Sequence, residues 1–311
     1  MAEPERFSAR VQPGSLSLGQ VSDLHEVTAS PNSGPPPPRR RRVVLLVLAC
    51  VVIAALVSVL VVALRGSGSR SGSAGTTASR GAGVTLDPSQ RSDSEAAVRN
   101  GWTLTAHDEF DGDTLDEDLW SPYSGRTTDD VGQHDPDNLS VSDGTLKLDS
   151  RGNTSAGMNW KGGQKYGRWE ARVRSEAGNG YGPVMLLWPE SGDWPEDGEI
   201  DIMEIPKGDR KKASFTVHWG EDDTQDGKSV QSDFTQWHNF AVEWTPDHIV
   251  GYLDGVEFYR IEDPDANPPG PMEVVLQQAI GPYGEAWIPA PDASTPETCT
   301  FEVDWVRIYA A

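Results

Sequence analysis

The nine residues GEIDIMEIP at positions 198–206 set the problem this chain poses. Ile200, Ile202, Met203 and Ile205 form an apolar, largely β-branched run of the kind that fills a sheet interior, yet Glu199, Asp201 and Glu204 stand among them. Carboxylates are seldom buried without a partner or a task. Strand side chains alternate between faces, so Glu199 and Asp201 share one face while Glu204 falls on the other. Either Glu204 takes no part, or the strand is irregular. A one-residue bulge near Met203 returns Glu204 to the acidic face, and bulges re-aim side chains in this way beside active sites.

Further out, short β-rich runs punctuated by Gly, Asp, Asn and Pro recur through residues 101–311, among them GTLKLDS, GRWEARVRS, GPVMLLW, NFAVEWT and FEVDWVRIY. In one of them Trp169, Ala171 and Val173 alternate with Glu170, Arg172 and Arg174, the period of a strand with one wet face. Asp254-Gly255 sits between two strand-like runs and marks a hairpin. Almost no segment shows a sustained helical period. The fold class expected is all-β, a sandwich of two antiparallel sheets. Ile200 and Ile202 would pack inward and the acids would face a groove.

The 311 residues divide by composition. Residues 1–38 are poor in large apolar side chains, end in a proline run, and are expected to be a disordered cytoplasmic segment. In residues 39–65, four arginines precede 22 uncharged residues at 43–64, which as a helix span about 33 Å, enough for a hydrocarbon core of about 30 Å. The competing reading, a cleaved signal peptide, has a shorter apolar stretch and a small-residue cleavage site that is missing here. The expectation is a single-pass anchor in the cell membrane. By the positive-inside rule the N-terminus is cytoplasmic and everything beyond residue 65 extracellular. Residues 66–100, rich in Gly and Ser, read as a flexible tether.

Residues 101–311 hold all 11 Trp and all 7 Tyr, and carry 41 acidic against 15 basic residues, a balance of −26. Such a charge disfavours nucleic acid and other polyanions as partners. Nothing points to a protein partner. Of the two cysteines, Cys50 lies in the apolar span and only Cys299 in the outer domain, so no disulfide staples it.

Three acids in a row suit glycosidic bond cleavage. Retention of configuration needs two carboxyls about 5–5.5 Å apart, one to attack and one to protonate the leaving oxygen. Crowded carboxylates also push one pKa upward, which keeps one of them protonated. A solvated acidic strand face and a metal site are the alternatives. Calcium wants six to eight oxygens, more than one strand row supplies. No His/Cys spacing suits zinc, and no serine elbow or phosphate loop is present. Trp188, Trp194 and Trp219 flank the strand and serve either as core or as flat surfaces for sugar rings.

On these residues the chain resembles glycoside hydrolase family 16, the β-jelly-roll enzymes that include laminarinases and lichenases. EIDIME matches that family's bulged E-x-D-x-x-E signature, and the likeness continues in HDEFDGDTLDEDLW, YGRWEARVR, GPVMLLWP, TVHWG, WHNFAVEWTPDHIVGYLDG and VDWVRIY. The resemblance implies a jelly roll with Glu199 as nucleophile, Glu204 as general acid/base and Asp201 as the residue that orients and tunes the nucleophile. It implies substrate contacts at Trp194, Trp188, His218, Trp219 and Gln278, no cofactor for the chemistry, and a structural Ca²⁺ near Glu109, Gly144 and Asp304. LQQAIGP, residues 276–282, departs from the L-N-L-A-V-G-G common in laminarinases, so Gln277 and Gln278 alter the subsite. The basic KGDRKK, with Lys207, Arg210, Lys211 and Lys212, either meets an acidic sugar or solvates a loop. The expected activity is membrane-tethered, retaining, endo-acting hydrolysis of a β-glucan, with β-1,3 linkages favoured. A transglycosylase, a non-catalytic glycan-binding or sensing module, and a purely structural surface protein are the other readings.

Overall fold

The computed structural model describes residue 86 and residues 91–127, 130–284 and 287–311. The expectations for residues 1–38 and for the apolar span 43–64 lie outside these. Among the described residues no helix is long and apolar enough to cross a membrane.

The alternating runs become two antiparallel sheets. One has seven strands in the order Thr224–Gln231, Lys212–Trp219, Glu199–Glu204, Tyr181–Pro189, Met272–Ile280, Gly157–Trp160 and Trp120–Pro122. The other runs Val256–Ile261, Ile249–Leu253, His238–Trp244, Gly167–Ser175, Cys299–Tyr309, Thr145–Ser150 and Leu139–Ser142, with Leu104–Asp108 also paired to Cys299–Tyr309. This two-sheet sandwich is the expected all-β architecture. Asp254 and Gly255 both take positive φ, 49° and 72°, and close the hairpin between Leu253 and Val256, as a type I′ turn requires.

Period two explains the packing. Trp169, Ala171 and Val173 are buried against Met185, Leu187, Ile200 and Phe215 of the facing sheet. Full burial of one such large side chain contributes about 1.5–3 kcal/mol. The tether predicted over residues 66–100 ends earlier than expected. Ala96–Asn100 is a short helix whose Ala96 and Ala97 pack with Trp102, Tyr252 and Tyr309 on the outer face of the second sheet.

The acidic strand is irregular where the alternation argument demands it. Its register with Tyr181–Pro189 slips between Met185 and Leu186, and with Lys212–Trp219 between Asp201 and Glu204. Consecutive residues Ile202 and Met203 both join the core. The extra inward residue is the bulge, and beyond it Glu204 is back in phase with Asp201.

Candidate active site

Register places the acids in successive rows across the outer face of the seven-stranded sheet. Glu199 stands opposite His218, Asp201 lies between Thr216 and Leu186, and Glu204 lies between Ser214 and Val184. The rows continue to Val275 and Gln277 on the next strand. Val184, Leu186 and Val275 form an apolar floor with Tyr123 and Trp188, separate from the main core. All three acids therefore emerge on the face turned away from the facing sheet.

Asp201 is 4% exposed and its Oδ2 lies 3.0 Å from Nε2 of His218. The other ring nitrogen of His218, Nδ1, is 2.7 Å from Oδ1 of Asp223. Burial works against the imidazolium, but bonds to Asp201 and Asp223 raise the His218 pKa to about 10. Burial and the charge of Asp201 push Glu199 up to about 9, against the pull of His218 and a hydrogen bond from Trp194. Burial and Asp201 likewise push Glu204 up to about 8, with Trp287 and Thr216 bonded to it. Burial also raises Asp201, opposed by His218. These carboxyls do not ionise independently, since each charge raises the next. The row retains a proton at neutral pH.

Trp194 is 41% exposed and stacks on Trp188, with centroids 6.4 Å apart and planes 13° from parallel. It also leans over His218 at 6.3 Å. An apolar ring this exposed beside buried acids offers a flat surface to a ligand. Glu199, Asp201 and His218 bring ligand atoms within 4.8 Å of one another. That spacing suits a cation, but a doubly bonded imidazolium has no lone pair to offer. His218 is itself the counter-charge.

Two expected substrate contacts are placed elsewhere. Gln278 is fully buried on the inward face, and its Nε2 donates to the carbonyls of Leu148 (2.6 Å) and Cys299 (2.9 Å) in the opposite sheet. Period two puts its neighbour Gln277 on the acidic face, where Oε1 accepts from Tyr123 Oη at 2.6 Å. Trp219 follows His218 by one residue and so turns the other way, packing against the main core. The basic cluster also divides. Arg210 neither meets solvent nor the acidic face; it is buried and donates to the carbonyls of Glu176, Tyr181, Ile205 and Lys207, securing the chain after the acidic strand.

The calcium expectation finds no side-chain ligands. The segments holding Glu109, Gly144 and Asp304 do converge, because the strands beside Glu109 and Gly144 both pair with Cys299–Tyr309, Asp108 opposite Val306 and Leu146 opposite Val303. The Glu109 carboxylate, however, accepts two bonds from Arg307, and Asp304 is 2.5 Å from Arg172. Both carboxylates are thus engaged by guanidinium groups.

Trp287, Thr216, Tyr123 and Asp223 join the site without having been anticipated. Asp223 alone had a legible signal, since Trp219-Gly220 followed by acids reads as the tip of a hairpin that folds back on His218.

A family model described as Glycosyl hydrolases family 16 matches residues 128–307. A beta-glucanase of Rhodothermus marinus is 29% identical over 253 residues, 67% of this chain and 85% of that protein. Glucan endo-1,3-beta-glucosidase A1 of Niallia circulans is 26% identical over 267 residues, 67% of this chain and 38% of its own length. Among solved structures, the catalytic domain of an endo-1,3-beta-glucanase (laminarinase) from Thermotoga petrophila matches with a TM-score of 0.62 at 25% identity, covering 67% of this chain and 98% of that one. With the family match extending over more than half of the chain, including the whole acidic row, the chain belongs to glycosyl hydrolases family 16 and is a glycoside hydrolase.

Proposed function

We propose that this hydrolase is a retaining, endo-acting β-glucanase with β-1,3-linked glucan as its main substrate. The observation that carries the reading is the register slip between Asp201 and Glu204, which sets two glutamates on one face with an aspartate between them. Glu199 attacks the anomeric carbon to form a glycosyl ester while Glu204 protonates the leaving oxygen. Water then cleaves the ester with Glu204 as base. At rest Glu199 holds its proton more tightly than Glu204, about 9 against about 8, the reverse of what the reaction needs. Positive charge developing at the sugar beside Glu199 favours its ionised form and leaves the proton on Glu204.

The activities carried by the relatives' names support a β-glucan. The face itself supports endo action. The acids stand in successive rows on the outer face of the seven-stranded sheet, a surface that a chain can cross. The arginine block and apolar length of residues 39–65 support a membrane anchor with the hydrolase outside the cell.

Reducing-end release from laminarin, mixed-linkage glucan and agar, assayed on intact membranes, tests the reading. Glu199→Gln and Glu204→Gln are each expected to lose on the order of 10²–10⁴ in kcat. Glu204→Gln alone should recover on glucosides with an activated leaving group that needs no proton. Full activity of Glu199→Gln on glucan would sink the assignment, and activity that washes off membranes at alkaline pH would sink the anchor.

A further inference from the structure

His218 is the sole ring nitrogen donor bonded to Asp201 among the described side chains, and its own orientation depends on a residue outside the acidic strand. Asp223 lies in the hairpin between Lys212–Trp219 and Thr224–Gln231, in the left-handed region at φ 50°, which Asp tolerates better than most residues. Its backbone N–H donates to the Gly220 carbonyl at 3.1 Å, closing the turn. Both of its carboxylate oxygens are used: Oδ1 by His218 Nδ1 at 2.7 Å and Oδ2 by Gln225 Nε2 at 2.9 Å. Gln225 is the cross-strand partner of His218. The three residues thus form a closed set behind the imidazole, and the imidazole presents Nε2 to Asp201.

We infer that Asp223 is a positioning residue for the hydrolase. It fixes the ring and the charge of His218, and through His218 keeps Asp201 ionised between the two glutamates. This rests on the β-glucanase reading for its kinetic consequences, though not for its physical basis. An imidazole with Nδ1–H bonded to a carboxylate must face Asp201 either as imidazolium or with a lone pair against a negative oxygen. The second arrangement is repulsive. The charged groups acting on His218 are Asp201, Glu199 and Glu204 from the acidic strand and Asp223 from the hairpin. Removing the Asp223 charge therefore favours a neutral ring and shifts charge within the row. Passing the proton from His218 to Asp201 removes both the repulsion of Asp201 and the attraction of His218 on Glu204; the repulsion is the larger, so Glu204 loses its proton at lower pH.

Asp223→Asn keeps the shape and an acceptor for Nδ1–H while removing the charge; Asp223→Glu keeps the charge. On glucan, Asp223→Asn is expected to lose about 10-fold to 100-fold in kcat, less than loss of the general acid itself, with KM little changed. The alkaline limb of its pH–kcat profile should move toward acid, and Asp223→Glu should recover much of the rate. Independently of turnover, the His218 ring signals in NMR should titrate at lower pH in Asp223→Asn than in the parent. An unchanged His218 titration overturns the inference, as does a loss of kcat with an unmoved pH profile, which would mark Asp223 as a shaper of the turn only. Should the parent release no reducing ends from any glucan, the β-glucanase reading falls and the His218 titration alone decides the role of Asp223.

Discussion

Among the described residues, two sets of three buried or half-buried carboxylates gather, each around one cation, on opposite sides of the sandwich core. On the outer face of the second sheet, Glu95, Glu109 and Glu170 surround Arg307. Glu95 accepts from Ser92 N–H (2.6 Å) and Arg307 (2.9 Å), Glu109 from Arg307 through both oxygens, and Glu170 from Ala96 and Ala97 N–H at 2.7 and 3.1 Å. Every carboxylate oxygen in that set has a donor fixed in place. Across the molecule, Glu199, Asp201 and Glu204 share His218, whose Nε2 bonds only Asp201 within the row. The two glutamates there depend on neutral donors from Trp194, Trp287 and Thr216. Three buried acids are therefore no sign of catalysis in themselves. Burial raises Glu170 as it raises Glu199 and Glu204, so what distinguishes the second set is its cation, which can lose its proton, and its place on a face a ligand can reach.

The contrast can be broken at its permanent cation. Arg307 is buried with its Glu95 and Glu109 partners, at side-chain exposures of 1%, 3% and 11%. Arg307→Met strands both carboxylates, and breaking such a buried pair is expected to cost about 3–5 kcal/mol in denaturant unfolding. KM of the folded fraction should not change, because the cluster lies across the core from the acidic row. A stability loss below 1 kcal/mol would mean the two clusters are not differently compensated.

A pH series separates the clusters next. Burial pushes Glu170 up to about 8, against its two backbone N–H bonds. A carboxyl raised in the folded state contributes fully below its ordinary pKa, and that contribution is lost as pH rises through the folded value. Melting temperature should therefore fall between about pH 5 and 8 in part through Glu170, and Glu170→Gln should flatten that fall. The alkaline limb of kcat/KM, set by the proton on Glu204, should stay where it is in Glu170→Gln. A limb that moves with Glu170 would show the clusters to be coupled.

The smallest expected effect concerns two adjacent glutamines. Gln278→Leu removes two bonds that tie the sheets together, at about 1–3 kcal/mol of stability, and should leave KM alone. Gln277→Leu should raise KM with little change in stability. The opposite pattern would return Gln278 to the substrate face.

These pairs also show where the sequence was readable. Period two in the strand holding Trp169 and Val173 needs no tertiary information, because one face must be apolar to be buried. The acidic strand announced its bulge for the same reason, since regular alternation left Glu204 on the wrong side. Period two also applied to Gln277 against Gln278 and to His218 against Trp219, but only relative to a face whose identity awaited the register of neighbouring strands. Composition could not separate Glu170 from Glu199. Both alternate with apolar residues on a strand, and only the donors that approach them differ.

What the sequence determined alone was local: the strands, the hairpin at Asp254-Gly255, the irregularity at Met203 and the signature that places the chain in its family. These follow from side-chain alternation and backbone sterics within a few residues. Which acids are neutralised was decided by the tertiary structure. Arg307 reaches Glu95 and Glu109, Trp287 reaches Glu204, and Asp223 reaches His218 only after sheets and hairpins bring distant or folded-back segments together. Proton affinity depends on burial and on charges a few ångströms away, whatever their separation along the chain.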